Sequence, residues 1–249
     1  MIPVAELVVI GLESRSGLDN MRLDLDLLAS CEREPHRAYV RFYTWRPPAL
    51  SLGRFESADV VDSSRAGSRG IDIVRRPTGG RVVLHLEDLT YTVVMPRRDS
   101  DSVAATYNWV SGCLVEGLRA LGARVETSRG SAARLARAKP CFLSASRNEI
   151  VSSGRKLVGS AQRVGRRALL QHGSIPVGRG YLQVIEYMAC GEEERAGLRR
   201  EMLAGTTCLG DVLGAEVDAR AIEAALGAAF ARAFEAAGAV RLIASCDGS

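Results

Sequence analysis

The chain has 249 residues, of which 47% are hydrophobic and 25% are charged, and these proportions exclude a disordered or fibrous protein. The length fits a single domain, 1–249, and the net charge of +4 favours an acidic partner but is too small to indicate nucleic acid binding. The sequence has no metal-type cysteine spacing, signal peptide or membrane-length apolar segment, which predicts a cytoplasmic protein with no metal and no membrane contact.

The first third of the chain predicts strands around one long helix. An apolar run at 2–11 indicates a strand, and Asp19 is expected to cap a helix with Met21, Leu25 and Leu28 on one face. The alternating, aromatic stretch 38–45 predicts a second strand, which ends before Pro47.

Two short β-branched runs, 71–76 and 81–85, flank a Pro-Thr-Gly-Gly segment and predict a hairpin with a glycine turn. A strand at 89–96 follows. An apolar repeat of three and four residues then predicts a helix over 102–121, with Gly122 at its C-cap. Segment 128–141 has neither period and predicts a basic loop.

The second half predicts a three-strand meander, 148–154, 155–163 and 167–177, followed by a helical C-terminal portion at about 191–240. Glutamates at 192–194 open one of these helices, and Asp218 opens the last. Strands in the middle and helices at the flanks predict an α/β (α+β) fold with mixed, largely antiparallel sheets flanked by helices.

Lysine is almost absent from the chain, which makes Lys156 a candidate for chemistry. Of the 33 basic residues, 31 are arginine, and the two lysines are Lys139 and Lys156. An ammonium is a compact charge that can polarise a carbonyl oxygen. Codon bias that leaves two lysines by chance is the other interpretation.

Small side chains follow Lys156 along the predicted strand. Gly159, Ser160 and Ala161 form strands poorly, so either an apolar ligand chain or a helix is expected to pack closely there. Alternation predicts one face with Lys156, Val158, Ser160 and Gln162, and the opposite face with Leu157, Gly159 and Ala161.

The segment 75–80, RRPTGG, brings two guanidinium groups and unobstructed backbone amides to one turn, where they would suit a phosphate or carboxylate. A plain turn with surface arginines is the other interpretation, and the Walker and Rossmann spacings are absent. His85 fits a half-buried strand residue as well as a catalyst.

Cys141 stands in a loop beside Lys139 and close to Arg134 and Arg137. Nearby cations lower the pKa of a thiol and favour the thiolate that a nucleophile needs. An inert loop cysteine is the alternative.

Taken in order, RRPTGGRVVLHLEDLTYTVV, CFLSASRNEIVSSGRKLVGSAQ and LLQHGSI resemble the lipoate–protein ligase and octanoyltransferase superfamily, which shares its catalytic fold with biotin–protein ligases. Stretches 18–28, 41–55 and 206–226 extend the resemblance to nearly the whole chain. A cysteine ahead of the lysine strand, and RPTGGR in place of a three-glycine turn, are similar to the cysteine-dependent octanoyltransferase branch found in bacilli.

The resemblance implies that Cys141 takes an octanoyl group from octanoyl-acyl carrier protein as a thioester, with Lys156 stabilising the oxyanion, and passes it to a lysine of a lipoyl domain or glycine-cleavage H protein. The two exchanges need no cofactor, and a monomer is the default expectation. The substrate-binding residues that it implies are Arg75, Arg76, Thr78, Gly79, Gly80, Arg81, His85, Gly159, Ser160, Ala161, Gln162, His172 and Gly173. The family often has an acidic residue directly after the histidine, whereas this chain has Leu86, followed by Glu87 and Asp88.

Three other functions stay open. An ATP-dependent lipoate–protein ligase would need ATP and tolerate loss of Cys141. An amidotransferase that moves the acyl group between lipoyl proteins would use the same cysteine. A silent binding module for acyl chains or nucleic acid would need neither Cys141 nor Lys156, and the aromatic content of 5% argues against base stacking.

Overall fold

A computed structural model describes residues 4–98, 100–128, 149–238 and 241–245. The strands are β1 (Glu6–Arg15), β2 (Arg37–Trp45), β3 (Ala49–Leu52), β4 (Asp72–Arg75), β5 (Val83–His85), β6 (Asp88–Pro96), β7 (Glu126–Thr127), β8 (Ile150–Ser152), β9 (Arg155–Val164), β10 (Ala168–Pro176) and β11 (Arg241–Ser245). The α-helices are α1 (Gly17–Arg33), α2 (Ser63–Ser68), α3 (Val103–Ala120), α4 (Glu192–Gly205), α5 (Leu209–Leu213) and α6 (Ala219–Ala236), and 3-10 turns span Ala58–Val60 and Gly180–Tyr187.

The described strands form two sheets. The larger sheet has the order β11-β1-β2-β6-β10-β9-β8-β7, and the smaller one has the order β4-β3-β5. In the larger sheet β1 runs parallel to both neighbours, while the pairs from β2 to β7 are antiparallel. This mixed, largely antiparallel arrangement with flanking helices confirms the predicted fold class.

The start and buried face of α1 differ from the prediction. Ser16, and not Asp19, caps the helix, because the Ser16 hydroxyl accepts a hydrogen bond from the Asp19 amide. Leu25 is 38% exposed, whereas Leu27 is buried. Met21 and Leu28 are buried as predicted, and the buried face also includes Asn20, Asp24 and Cys31.

The predicted hairpin of 71–76 with 81–85 is wrong. Strand β3 lies between β4 and β5, parallel to the first and antiparallel to the second. The four residues of β3 are all buried and lack an alternating pattern, so periodicity could not reveal the strand. The Pro-Thr-Gly-Gly segment is therefore a connection that crosses over β3.

The predicted helix 102–121, the meander and the last helix are confirmed as α3, β8 to β10, and α6, which Asp218 caps. Gly122 follows the C-cap Leu121 with φ 90°. The predicted helical portion at about 191–240 contains α4, α5 and α6, and beyond it β11 pairs with β1 at the edge of the large sheet. In the described residues, no helix has the length and hydropathy needed to cross a membrane.

The two faces of the large sheet have different coverings. Helices α3 and α6 cover one face, where Phe42, Tyr91 and Val93 pack with Leu114 and Phe230 in the main apolar core. Helix α1 covers the other face through Leu27, Leu28 and Cys31, and its Met21 packs with Tyr43, Trp45 and Ala49. The remainder of that face carries polar side chains and meets the smaller sheet, and this position holds the candidate site.

Candidate active site

A cleft opens between the polar part of the large sheet and the smaller sheet, with an empty volume of about 410 Å³. Direct antiparallel partners share a face of a sheet, and His172 pairs with Ala161 on one side and Thr92 on the other. The predicted substrate residues that line the cleft are Arg76, His85, Gly159, Ser160, Ala161, His172 and Gly173. Sequence motifs far apart in the chain therefore meet at one place.

A buried carboxylate, an imidazole and a hydroxyl form a chain of which the imidazole lines the cleft. Asp24 Oδ2 lies 3.0 Å from His172 Nδ1, and His172 Nε2 lies 2.6 Å from Thr78 Oγ1. Asp24 also accepts from Arg41 Nη1 at 3.1 Å and from the Thr92 hydroxyl at 3.0 Å. Burial lowers the pKa of His172, so this imidazole is neutral at pH 7.

A second chain of the same composition lies on the opposite wall. His85 Nδ1 lies 2.8 Å from Asp88 Oδ2, and His85 Nε2 lies 2.8 Å from Ser51 Oγ. The Ser174 hydroxyl donates to the same Asp88 oxygen at 2.6 Å. Trp45 stacks on the His85 ring with 3.9 Å between centroids and 14° between planes.

The acidic pair after Leu86 is displaced in sequence but not in space. Glu87 has φ 57°, so the chain turns sharply between β5 and β6 and returns Asp88 to His85. Glu87 Oε2 accepts from the Gly180 amide at 2.9 Å and secures the turn. Asp88 thus supplies the carboxylate next to the histidine that the sequence left open.

The guanidinium groups of the RRPTGG segment hold backbone in place. Arg75 Nη1 donates to the Gly53 carbonyl at 2.7 Å. Arg76 donates to the Ser51 carbonyl and the Arg81 carbonyl, each at 2.6 Å. The two arginines therefore fix the turn against β3, and Arg76 in addition lines the cleft.

The glycine turn and the end of β3 lie in backbone contact. A Cβ added to Gly53 would lie 1.8 Å from the Gly80 carbonyl oxygen, whereas one added to Gly79 would meet nothing within 4 Å. The Arg54 amide donates to the Thr78 carbonyl at 2.8 Å. Thr78 and Gly80 therefore support the turn without lining the cleft, and there is open space in front of Gly79.

The small residues of β9 form the wall opposite the turn. A Cβ at Gly173 would lie 2.6 Å from the Gly159 carbonyl oxygen and 2.7 Å from Tyr91 Cε1. On the far side of the sheet, Ser160 Oγ lies 2.7 Å from Tyr91 Oη, and Gln162 donates to Gln171. Gln162 belongs to this supporting network and is not part of the cleft lining in the described structure.

The predicted alternation of β9 is wrong at its start. The register between β8 and β9 shifts at Ile150 and Val151, and Leu157 and Val158 both pack into the main core. This β-bulge moves Lys156 to the face of Gly159 and Ala161, since a bulge adds one residue to the alternation.

Lys156 is 1% exposed and ends in an ion pair. Its Nζ lies 2.7 Å from Glu149 Oε1, and Glu149 is itself buried. The β8–β9 turn brings the two together, with Ser153 and Gly154 both at positive φ. The ammonium is held buried beside the small residues of β9 by a carboxylate that the sequence motifs did not indicate.

Cys141 and Lys139 lie outside the described residues. The described cysteines are Cys31, Cys113, Cys190 and Cys208, and all four are free thiols. Burial raises the pKa of Cys31 and of Cys113 to about 12, and it raises the pKa of Cys190 and Cys208 as well. These four are therefore thiols and not thiolates at neutral pH.

Sequence reasoning missed Asp24, Ser51, Trp45 and Ser174, which complete the cleft or its carboxylates. One signal was available for Asp24: it shares the buried stripe of α1 with Asn20, and two polar residues at helical spacing on an apolar face are unusual. Ser51 gave no signal, because β3 itself was not predicted. Among the described residues, no group of three or more potential ligands could hold a metal ion.

Comparisons with known proteins place the cleft in a family context. Residues 16–231 match the model of the lipoyl protein ligase A/B catalytic domain. An octanoyltransferase LipM of Kyrpidia tusciae is 38% identical over 87% of this chain and 83% of its own. An octanoyltransferase LipM of Carboxydothermus hydrogenoformans is 35% identical over 89% and 84%.

Solved structures share the fold at lower identity. A bi-partite lipoate protein ligase of Thermoplasma acidophilum has a TM-score of 0.74 at 21% identity, over 93% of this chain and 84% of its own. A lipoate-protein ligase A bound with ATP has a TM-score of 0.72 at 20% identity, over 96% and 87%.

Proposed function

The chain belongs to the lipoyl protein ligase A/B catalytic domain family, and we propose that within it the chain is an octanoyltransferase that acts through an enzyme thioester in lipoate biosynthesis. The observation that carries this proposal is the identity of 32–38% to octanoyltransferases over nearly the full chain. The protein acts as one catalytic domain, 1–249, a monomer in the cytoplasm.

The cleft supports an acyl substrate. Gly159 and Ala161 expose little side chain on one wall, and Met21 and Val83 add apolar surface. A saturated chain lies against such a surface without leaving buried polar groups unpaired. The second wall carries the hydrogen-bonding groups of the turn and the histidines, so the reacting carbonyl lies at the polar end.

Two thioester-level exchanges make up the reaction. The Cys141 thiolate attacks the carbonyl of octanoyl-acyl carrier protein, the bond to the carrier sulfur breaks, and the carrier thiolate takes a proton. Lys156 hydrogen-bonds to the developing oxyanion, after exchanging Glu149 for that oxygen. The amine of a lipoyl domain or H protein lysine then attacks the enzyme thioester, the carbon–sulfur bond to Cys141 breaks, and the products are an amide and the free Cys141 thiol. Neither step requires ATP.

The first test is intact-mass spectrometry after incubation with octanoyl-acyl carrier protein without ATP. We expect one octanoyl adduct, labile to hydroxylamine, on the native protein and none on Cys141→Ala. Cys190→Ala is the matched control and keeps the adduct, because its thiol has a raised pKa. An adduct that persists in Cys141→Ala would contradict the assignment.

A second variant tests the role of Lys156. Loss of one oxyanion donor slows an acyl transfer by about 10²–10³-fold, so Lys156→Met is expected to form the same adduct at that reduced rate. Without any adduct on the native protein, transfer of lipoate that depends on ATP would identify the chain as a ligase.

A further inference from the structure

The two carboxylate–imidazole–hydroxyl chains of the cleft differ in charge. Asp24 forms a buried ion pair with Arg41, so its charge is already compensated when His172 is neutral. The contacts of Asp88 in the described residues are to His85 and to the hydroxyls of Thr90 and Ser174, which are all uncharged when His85 is neutral. A proton on His85 would therefore be paired, and a proton on His172 would add a net buried charge.

The proposed reaction has a step for which no base has yet been named. The acceptor lysine arrives as an ammonium, and its nitrogen has no lone pair for attack until it loses a proton. A general base for this step has to present an acceptor atom in the cleft. Both imidazoles line the cleft, but Nε2 of His172 is directed at Thr78, which does not line it, whereas Nε2 of His85 is directed at Ser51, which does.

We propose that His85 is the general base for the acceptor amine, with Ser51 relaying the proton and Asp88 holding the imidazole, an assignment that rests on the proposed function. Asp88 accepts from Nδ1–H, which leaves Nε2 as the proton acceptor toward Ser51 Oγ at 2.8 Å. Arg76 Nη1 donates to Ser51 Oγ at 3.2 Å, so the serine proton points at His85.

The protons balance along this route. The ammonium gives one proton to Ser51 Oγ while the Ser51 proton moves to His85 Nε2. The neutral amine attacks the thioester carbonyl, the carbon–sulfur bond breaks, and the second amine proton goes to the leaving sulfur. The products are an amide, a thiol and a protonated His85, which releases its proton to solvent.

The surroundings of His85 fix the position of its ring. Trp45 stacks on one face of the ring, with 3.9 Å between centroids. Asp88 is held in place by two hydroxyl donors from β6 and β10. Among the described residues, the other charged or titratable groups that line the cleft are Arg76, His172 and Tyr43.

The experiment separates proton removal from binding by changing the nucleophile. The octanoyl adduct is first formed on the native protein, on His85→Gln and on His172→Gln. Each adduct is then discharged either by an acceptor H protein or by hydroxylamine, which is largely unprotonated at pH 7 and needs no base. General base catalysis contributes about 10²–10⁴-fold.

We expect His85→Gln to discharge to the lysine acceptor at least about 10²-fold more slowly than the native protein, and to hydroxylamine at the native rate. His172→Gln should slow both discharges by the same factor, since it acts through the shape of the cleft. Equal slowing of both by His85→Gln, or no slowing, would overturn the proposal. If the native protein forms no adduct, the proposed function fails and this assignment fails with it.

A second variant tests the proposal if His85→Gln does not fold. Ser51→Ala removes the relay but keeps the imidazole, and we expect it to slow the lysine acceptor selectively, with partial recovery as the pH is raised and more acceptor amine loses its proton. Native discharge rates of Ser51→Ala with both nucleophiles would contradict the proposed proton relay through Ser51.

Discussion

The two faces of the large sheet are built on opposite principles. The face under α3 and α6 buries side chains such as Phe42, Leu114 and Phe230 without polar partners. The face under α1 buries Asp24, Arg41 and His172, which are stable there because each is hydrogen-bonded. One face supplies the apolar burial that drives folding, and the other uses part of that stability to hold charged groups in the cleft.

The largest change in the free energy of unfolding is expected on the face of the large sheet under α1. Asp24→Ala leaves Arg41 and His172 buried without their shared carboxylate, and breaking a buried ion pair in this way costs about 3–5 kcal/mol. Urea denaturation measures the free energy of unfolding. Asp24→Asn retains a hydrogen-bond acceptor and should lose less, and equal losses for the two variants would show that the charge is unimportant.

A cavity on the apolar face is expected to cost slightly less and to leave the chemistry intact. Leu226 is fully buried against α3, where its side chain lies close to Gly117, so Leu226→Ala should destabilise by about 2–5 kcal/mol. Leu203, which is 51% exposed, provides a matched control whose replacement by alanine should change stability by less than about 0.5 kcal/mol. The rate of adduct formation per folded molecule should remain native, and a parallel loss of rate would show that the faces are coupled.

Because His172 is buried on the face under α1, we expect the free energy of unfolding to depend on pH. The folded state lowers the pKa of His172 below 6.5, mainly through burial, so at acidic pH the unfolded chain binds a proton that the folded chain does not. Stability should therefore fall as the pH drops below about 6.5, by up to about 1.4 kcal/mol per pH unit.

His172→Gln should remove that slope below about pH 6.5, while replacement of the exposed His36 by glutamine should leave it. Thermal denaturation at a series of pH values measures the slope of stability against pH. A slope unchanged in His172→Gln would assign the acid sensitivity to other groups.

The smallest change in the free energy of unfolding is expected for the hydrogen bond between Tyr91 and Ser160. Tyr91 lies on the apolar side, but its hydroxyl contacts Ser160 and Gln171, and burial raises the pKa of this phenol to about 12, so it is an uncharged donor. Tyr91→Phe should cost about 0.5–1.5 kcal/mol. Combining it with Ser160→Ala should give a loss smaller than the sum of the two single losses, because both variants break the same contact.

Strong periodic patterns predicted most of the fold. The meander, α3 and α6 have clear repeats of two or of three and four residues, and the structure contains them. Strand β3 and the bulge at Leu157 have no such pattern, since β3 is buried on every residue and the bulge depends on pairing with β8. Because of these two features, the predicted hairpin and the predicted alternation of β9 are wrong.

The candidate site was predicted where motifs stand close together in sequence. Arg76 of the RRPTGG segment, His85, the small residues of β9 and His172 line one cleft, and the substrate-binding roles that the resemblance implied for them stay predictions. Asp24 and Ser51 come from α1 and β3, and only tertiary packing brings them to the histidines. The part assigned to Cys141 stays a prediction, because that residue lies outside the described ranges.

The contact between Gly53 and Gly80 has a consequence for enzyme engineering. A library meant to shift acyl-chain preference should leave position 53 unchanged, because a methyl group there would collide with the Gly80 carbonyl and displace the whole turn. Position 79 is the place to vary, since an added Cβ meets no atom within 4 Å. Substituting Gly79 by alanine, valine and leucine would add bulk beside the cleft in graded steps on an otherwise unchanged scaffold.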